Sequence, residues 1–127
     1  MDETSSRKPL VWLEGEVKTP PFSAKARYEA GMLLRLLQEG ESLSMPQAEP
    51  VPRVGQRCGA LRIRDESHNW RIMYRIDRDA VIVVEVYDKK TRQIPEQVIQ
   101  NCQKRLEHYD SIVETSRRSK SKGKGNG

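Results

Sequence analysis

The chain has 127 residues, of which 35% are hydrophobic and 32% charged, enough for one modest core under a heavily charged surface. Nothing in it repeats at a fixed period, and no apolar run approaches the roughly 20 residues that span a bilayer, which excludes a solenoid and a helical membrane protein. The formal net charge of +5 resides at one end: residues 115–127 hold five cations and no acid, whereas the rest balances 18 basic against 18 acidic residues, so only local clustering can point to an anionic partner.

Residues 1–8 read as a flexible N-terminus, and MDETSSRKP has no apolar stretch of the kind a secretory signal needs, so the expected compartment is the cytoplasm. Leu10 to Leu13 fits a short edge strand. After Thr19-Pro20-Pro21 the pattern turns helical, with Phe22, Ala26, Ala30, Leu33, Leu34 and Leu37 three or four apart, Ser23 as N-cap and Gly40 closing the end. Residues 41–57 carry Pro46, Pro50 and Pro52 without a sustained period and read as an extended connector.

Residues 59–65, 70–77 and 80–87 are rich in β-branched and aromatic side chains and are separated by polar breaks, which predicts an antiparallel meander. Trp70, Ile72, Tyr74 and Ile76 share one face of the middle strand, while Arg71, Met73 and Arg75 share the other; Leu61 and Ile63 similarly oppose Arg62 and Arg64. One face is expected to meet the helices and the other to carry guanidinium groups. Pro95 can begin a second helix with Val98, Ile99, Cys102, Leu106 and Tyr109 as its stripe, ending near residue 114. Residues 115–127 have no apolar side chain and read as a disordered basic tail.

Cys58 and Cys102 have no CxxC or CxxH neighbourhood, and no acids or histidines recur at ligand spacing, so neither a metal nor another cofactor is expected. The cations remain. Arg62, Arg64, Arg71 and Arg75 alternate with Asp65, Asp77 and Glu85 nearby, and composition alone favours an ordinary solvated sheet face. Lys89-Lys90 in isolation reads as a strand-edge gatekeeper. His68 reads as a turn residue and His108 as exposed on the last helix. The helical stripes read as core, with an exposed remainder on the first helix able to receive a protein partner.

Three stretches alter that balance: Gly59-Ala60-Leu61-Arg62, Trp70-Arg71-Ile72-Met73-Tyr74 and Val86-Tyr87-Asp88-Lys89-Lys90-Thr91-Arg92-Gln93-Ile94-Pro95. In this order and spacing, over residues 9 to about 112, the chain resembles the RelE/HigB toxin superfamily, in particular its phage-derived HigB-like branch. The resemblance implies an α+β, RelE-like fold: a short N-terminal strand, a long helix, the meander joined with the first strand in one sheet, and a C-terminal helix. It implies a type II toxin that cleaves mRNA on the ribosome without a metal. A small helix-turn-helix antitoxin would hold it inactive and supply the only link to DNA.

In such cleavage the ribose 2′-OH attacks the adjacent phosphorus, and rigid cations aimed at the phosphoryl oxygens lower the barrier. The resemblance assigns this to Arg71, with Arg62 facing the same space, and gives phosphate binding and leaving-group protonation to Lys89 and Lys90. Arg64, Arg75, Tyr87 and Arg92 are the expected RNA contacts, Tyr87 by stacking or else as core. Two positions depart from the pattern: Ala60 stands where the superfamily has an acid, and Asp88 adds a negative charge beside the lysines. They motivate one alternative, a noncatalytic RNA- or protein-binding module; a phage-derived regulatory subunit acting only with its partner is another.

Overall fold

The computed structural model describes residues 7–126, with side chains placed over residues 7–119. In chain order the elements are β1 (Leu10–Trp12), α1 (Ala24–Gln38), β2 (Ala48–Pro50), β3 (Cys58–Asp65), β4 (His68–Ile76), β5 (Val81–Asp88) and α2 (Glu96–Asn126). They form an α+β fold with one mixed five-stranded sheet, ordered β1-β5-β4-β3-β2. β1 runs parallel to β5 and every other pair is antiparallel.

Local chemistry explains the best-formed elements. Ser23 is extended and its hydroxyl accepts from the Ala26 amide at 3.0 Å, the N-cap its position predicts. Gly40, at φ +90°, closes the other end of α1 in a conformation that side chains resist. Arg7 and Lys8 belong to the ordered domain rather than to a flexible N-terminus: the Lys8 amide bonds the Gln38 carbonyl at 2.8 Å, and Gln38 returns a bond of 2.7 Å. The rest of the expected flexible segment, residues 1–6, lies outside the described residues.

The expectation of one apolar and one guanidinium-bearing face is corrected by the core. α1 covers Leu61, Ile63, Trp70, Ile72, Val81 and Val83 on one side of the sheet. Val98, Ile99, Cys102 and Leu106 of α2 cover Ala60, Met73, Ile82 and Val84 on the other. Val81 to Val84 are therefore all buried, the continuous apolar run of a strand covered on both sides. On the α2 side Arg71 is buried, Arg62 half-buried and Arg64 exposed.

Two further corrections concern extent. β2 lies inside the segment read as a connector; Pro50 fits there because β2 is an edge strand and needs no outward donor. α2 continues to Asn126 through the segment expected to be a disordered tail. Extending a helix that packing has already nucleated fixes one residue per bond, lysine and arginine are good helix formers, and Arg118 pairs with Glu114 at 3.2 Å across one turn.

One buried carboxylate ties α1 to the meander. Asp65 accepts from the Ser23 amide at 2.9 Å and from Trp70 Nε1 at 3.0 Å, which holds its carboxyl below the usual carboxylate range, while Trp70 stacks on Phe22 with ring centres 4.2 Å apart. A group whose folded pKa is depressed contributes stability above its unfolded pKa of about 3.9 and loses it as pH falls through the folded value. The urea midpoint should accordingly hold from pH 7 to about pH 4 and then fall; Asp65→Asn should lower the midpoint at pH 7 and flatten its acid dependence.

Candidate functional site

The cations expected at the site meet where a side-chain row crosses the sheet on its α2 side. Arg62 of β3 lies opposite Arg71 of β4, and Arg71 opposite Tyr87 of β5. The last pairing depends on an irregularity. Met73 pairs with Glu85 but Tyr74 pairs with Val83, so Val84 is an extra residue and β5 bulges there. Without it, strict alternation from Val81 and Val83 would put Tyr87 on the α1 side; the bulge turns it to Arg71 and turns Asp88, the partner of Trp70, to the α1 side.

Arg71 is buried to 7% exposure, and its Nη1 donates to the Trp70 carbonyl at 3.2 Å. Burial and then the neighbouring Arg62 charge lower its pKa, yet a guanidinium stays charged at any physiological pH. Arg62 is half-buried and donates through Nη1 to the Pro46 carbonyl at 3.1 Å. One carboxylate faces both: Glu49 Oε2 of β2 lies 3.7 Å from Arg62 Nε and 3.7 Å from Arg71 Nε. Those two Nε atoms and the Tyr87 hydroxyl are buried without a hydrogen-bond partner among the described residues. Burial pushes the Tyr87 phenol up to about 12, so it stays a protonated donor. Two like charges and three unpartnered donors in one row favour an anion.

Lys89 completes the wall. Its ammonium donates to the Thr91 and Arg92 carbonyls, each at 2.7 Å, folding the β5–α2 loop over the row. Burial and then Arg71 lower its pKa, Glu49 opposing and Arg62 adding to the effect. Glu49, Arg62, Arg71, Lys89, Arg92 and Ile94 line a depression of about 590 Å³. Arg64 is exposed and lines an adjoining hollow that also touches Arg62 and Arg71. A hollow of about 750 Å³ lies elsewhere, among Leu37, Leu43, Tyr74 and Ile76, away from these cations.

Two of the expected residues stand apart. Arg75, four positions from Arg71 on the same face, donates to Asp77 at 2.6 and 2.9 Å and to Asp110 at 3.0 and 2.8 Å. Its charge is matched at the far end of β4. Lys90 lies 2.9 Å from Asp88 and is exposed. Burial alone would raise the Asp88 carboxyl, but bonds from His68, the Asn69 amide and Lys90 hold it well below the carboxylate range. Its charge is thereby engaged on the α1 side. His68 is not a turn residue: it opens β4, 2.6 Å from Asp88 and stacked on Trp70.

Glu49 was not among the expected site residues, because nothing in the proline-rich connector marks it; the one clue is the absent acid at Ala60, its partner in the next strand. Gly59 sets that strand close: a Cβ there would lie 2.6 Å from Tyr74 Oη and 2.9 Å from the Glu49 carbonyl oxygen. Among the described residues, no group of three or more His, Cys, Asp or Glu side chains is placed to hold a metal, and no helix is long and apolar enough to cross a membrane.

Residues 21–107, more than half of the chain, match the model of the family described as Phage derived protein Gp49-like (DUF891). No curated protein and no solved structure matches the chain.

Proposed function

Because the chain belongs to the phage-derived Gp49-like family, within the RelE/HigB-like toxin superfamily, we propose that it is the toxin of a type II toxin–antitoxin pair and a metal-independent endoribonuclease of the HigB-like branch. The observation that carries this reading is Arg71, a buried cation whose Nε has no hydrogen-bond partner, set beside Arg62 and Lys89 in one depression and opposite Tyr87 in the next strand. Such an array binds a phosphate and gains most when charge builds on its oxygens in the transition state.

In this mechanism Arg71 and Arg62 hold the nonbridging oxygens of the scissile phosphate and Tyr87 donates a further hydrogen bond. The 2′-oxygen attacks phosphorus and the bond to the 5′-oxygen breaks. Lys89, its pKa lowered by burial and Arg71, delivers the leaving-group proton. Arg64 and Arg92 hold flanking phosphates. The substrate is mRNA, presented on the ribosome in the cytoplasm. A helix-turn-helix antitoxin is the inhibitory partner and the only link to DNA. The two departures that favoured a noncatalytic module weigh less: Asp88 faces away from the row, and Glu49 supplies a carboxylate beside Ala60.

The test is the chemistry of the cut ends. A synthetic mRNA on purified programmed ribosomes, incubated with the protein, should be cut to 5′-hydroxyl and 2′,3′-cyclic phosphate ends. Cutting that leaves 5′-phosphates and 3′-hydroxyls would contradict the mechanism.

A further inference from the structure

A carboxylate is a poor component of a site that only binds phosphate, since it repels the ligand the arginines attract. Glu49 is nevertheless there, the one acid among the described residues lining the depression. Its backbone is fixed by pairing with Ala60 and by the tight approach at Gly59. Ala60 is fully buried and offers only a methyl group beside it, so no other acid comes from that position on β3. At 3.7 Å from each Nε, Glu49 is ion-paired with both guanidinium groups but beyond hydrogen-bond length of either.

A group that close to two phosphate-binding arginines also reaches the ribose next to the phosphate they hold, because the attacking 2′-hydroxyl lies about 3 Å from the phosphorus in a reactive geometry. We propose, on the strength of the ribonuclease reading, that Glu49 is the general base of the reaction. Its carboxylate removes the 2′-hydroxyl proton as the 2′-oxygen bonds to phosphorus; the bond to the 5′-oxygen breaks, and that oxygen takes a proton from Lys89. Glu49 ends protonated and Lys89 neutral, and both reset by exchange with water. The neighbouring β2 strand thus provides the acid that Ala60 does not.

Glu49→Gln removes the base and keeps the shape; Glu49→Asp keeps the base and shortens it. Single-turnover cleavage of a synthetic mRNA on programmed ribosomes is followed, and binding is measured with the same mRNA carrying 2′-deoxyribose at the cut position. The expected result for Glu49→Gln is a rate lower by about 10²-fold or more, with probe binding equal to or tighter than wild type. Glu49→Asp should cut at an intermediate rate. A Glu49→Gln rate at or above wild type overturns the assignment, leaving the carboxylate as an electrostatic brake. Parallel loss of binding and rate also overturns it, in favour of a positioning role. If the wild type itself cuts nothing, the ribonuclease reading falls and this assignment with it.

Discussion

Induction of Arg71→Ala should leave cells growing where the wild type arrests them, with cleavage lowered about 10²- to 10³-fold, the loss typical when one preorganised transition-state donor is removed. The effect should lie in chemistry rather than folding. Arg71 makes one hydrogen bond to its own strand, sits at 7% exposure and is repelled by Arg62. Deleting it removes some stem packing but also a buried cation, so the melting temperature should change little. Arg71→Lys should not restore activity, because a point charge on a flexible stem cannot present the planar fork that faces Glu49 and the phosphate together. Growth curves and melting scans of the three proteins check this pattern.

Arg75→Ala should behave in the opposite way. The same strand and the same face carry both arginines, but Arg75 is bonded by two carboxylates, which raises its pKa, Asp110 first and Asp77 with it. Its side chain is 12% exposed, and its loss leaves the partly buried Asp77 facing Arg57 at 3.8 Å and unties α2 from the β4–β5 turn. Breaking a largely buried pair costs about 3 kcal/mol, the low end for such pairs because Asp110 is mostly exposed. For a domain of this size that is roughly 10 °C in melting temperature. Cleavage per folded molecule should remain near wild type. A melting curve that does not move would show that the clamp contributes nothing; a rate that falls with folded protein present would place Arg75 in the site after all.

Local chemistry made much of the fold legible. Ser23, Gly40 and the spacing of Leu33, Leu34 and Leu37 mark α1 without tertiary information, and alternation in Trp70 to Ile76 marks β4. Strand faces beyond a bulge are another matter. The extra residue at Val84 reverses the parity of everything after it, so alternation alone misplaces Tyr87 and Asp88. It also decides which of the lysines joins Arg71: Lys89 folds over the row while Lys90 turns to Asp88.

The site was legible in part for the same reason. Arg62 and Arg71 stand out because they lie in regular strands with a recognisable pattern around them. Arg75 has the same local signature as Arg71, and only the carboxylates brought by the turn and by α2 distinguish them. Glu49 sits in three residues of edge strand among prolines, where propensity says little, and its role arises from pairing with β3. The length of α2 escaped the composition of residues 115–126, since a polar basic segment reads as disorder unless the helix it continues is known.

The most direct test of the central claim is primer extension on mRNA from cells induced briefly for the wild type, for Arg71→Ala and for Arg75→Ala. Discrete new 5′ ends in the wild type, absent with Arg71→Ala and retained with Arg75→Ala, are the predicted result. Intact mRNA in cells that hold abundant folded wild-type protein, or cuts that persist undiminished with Arg71→Ala, would contradict it.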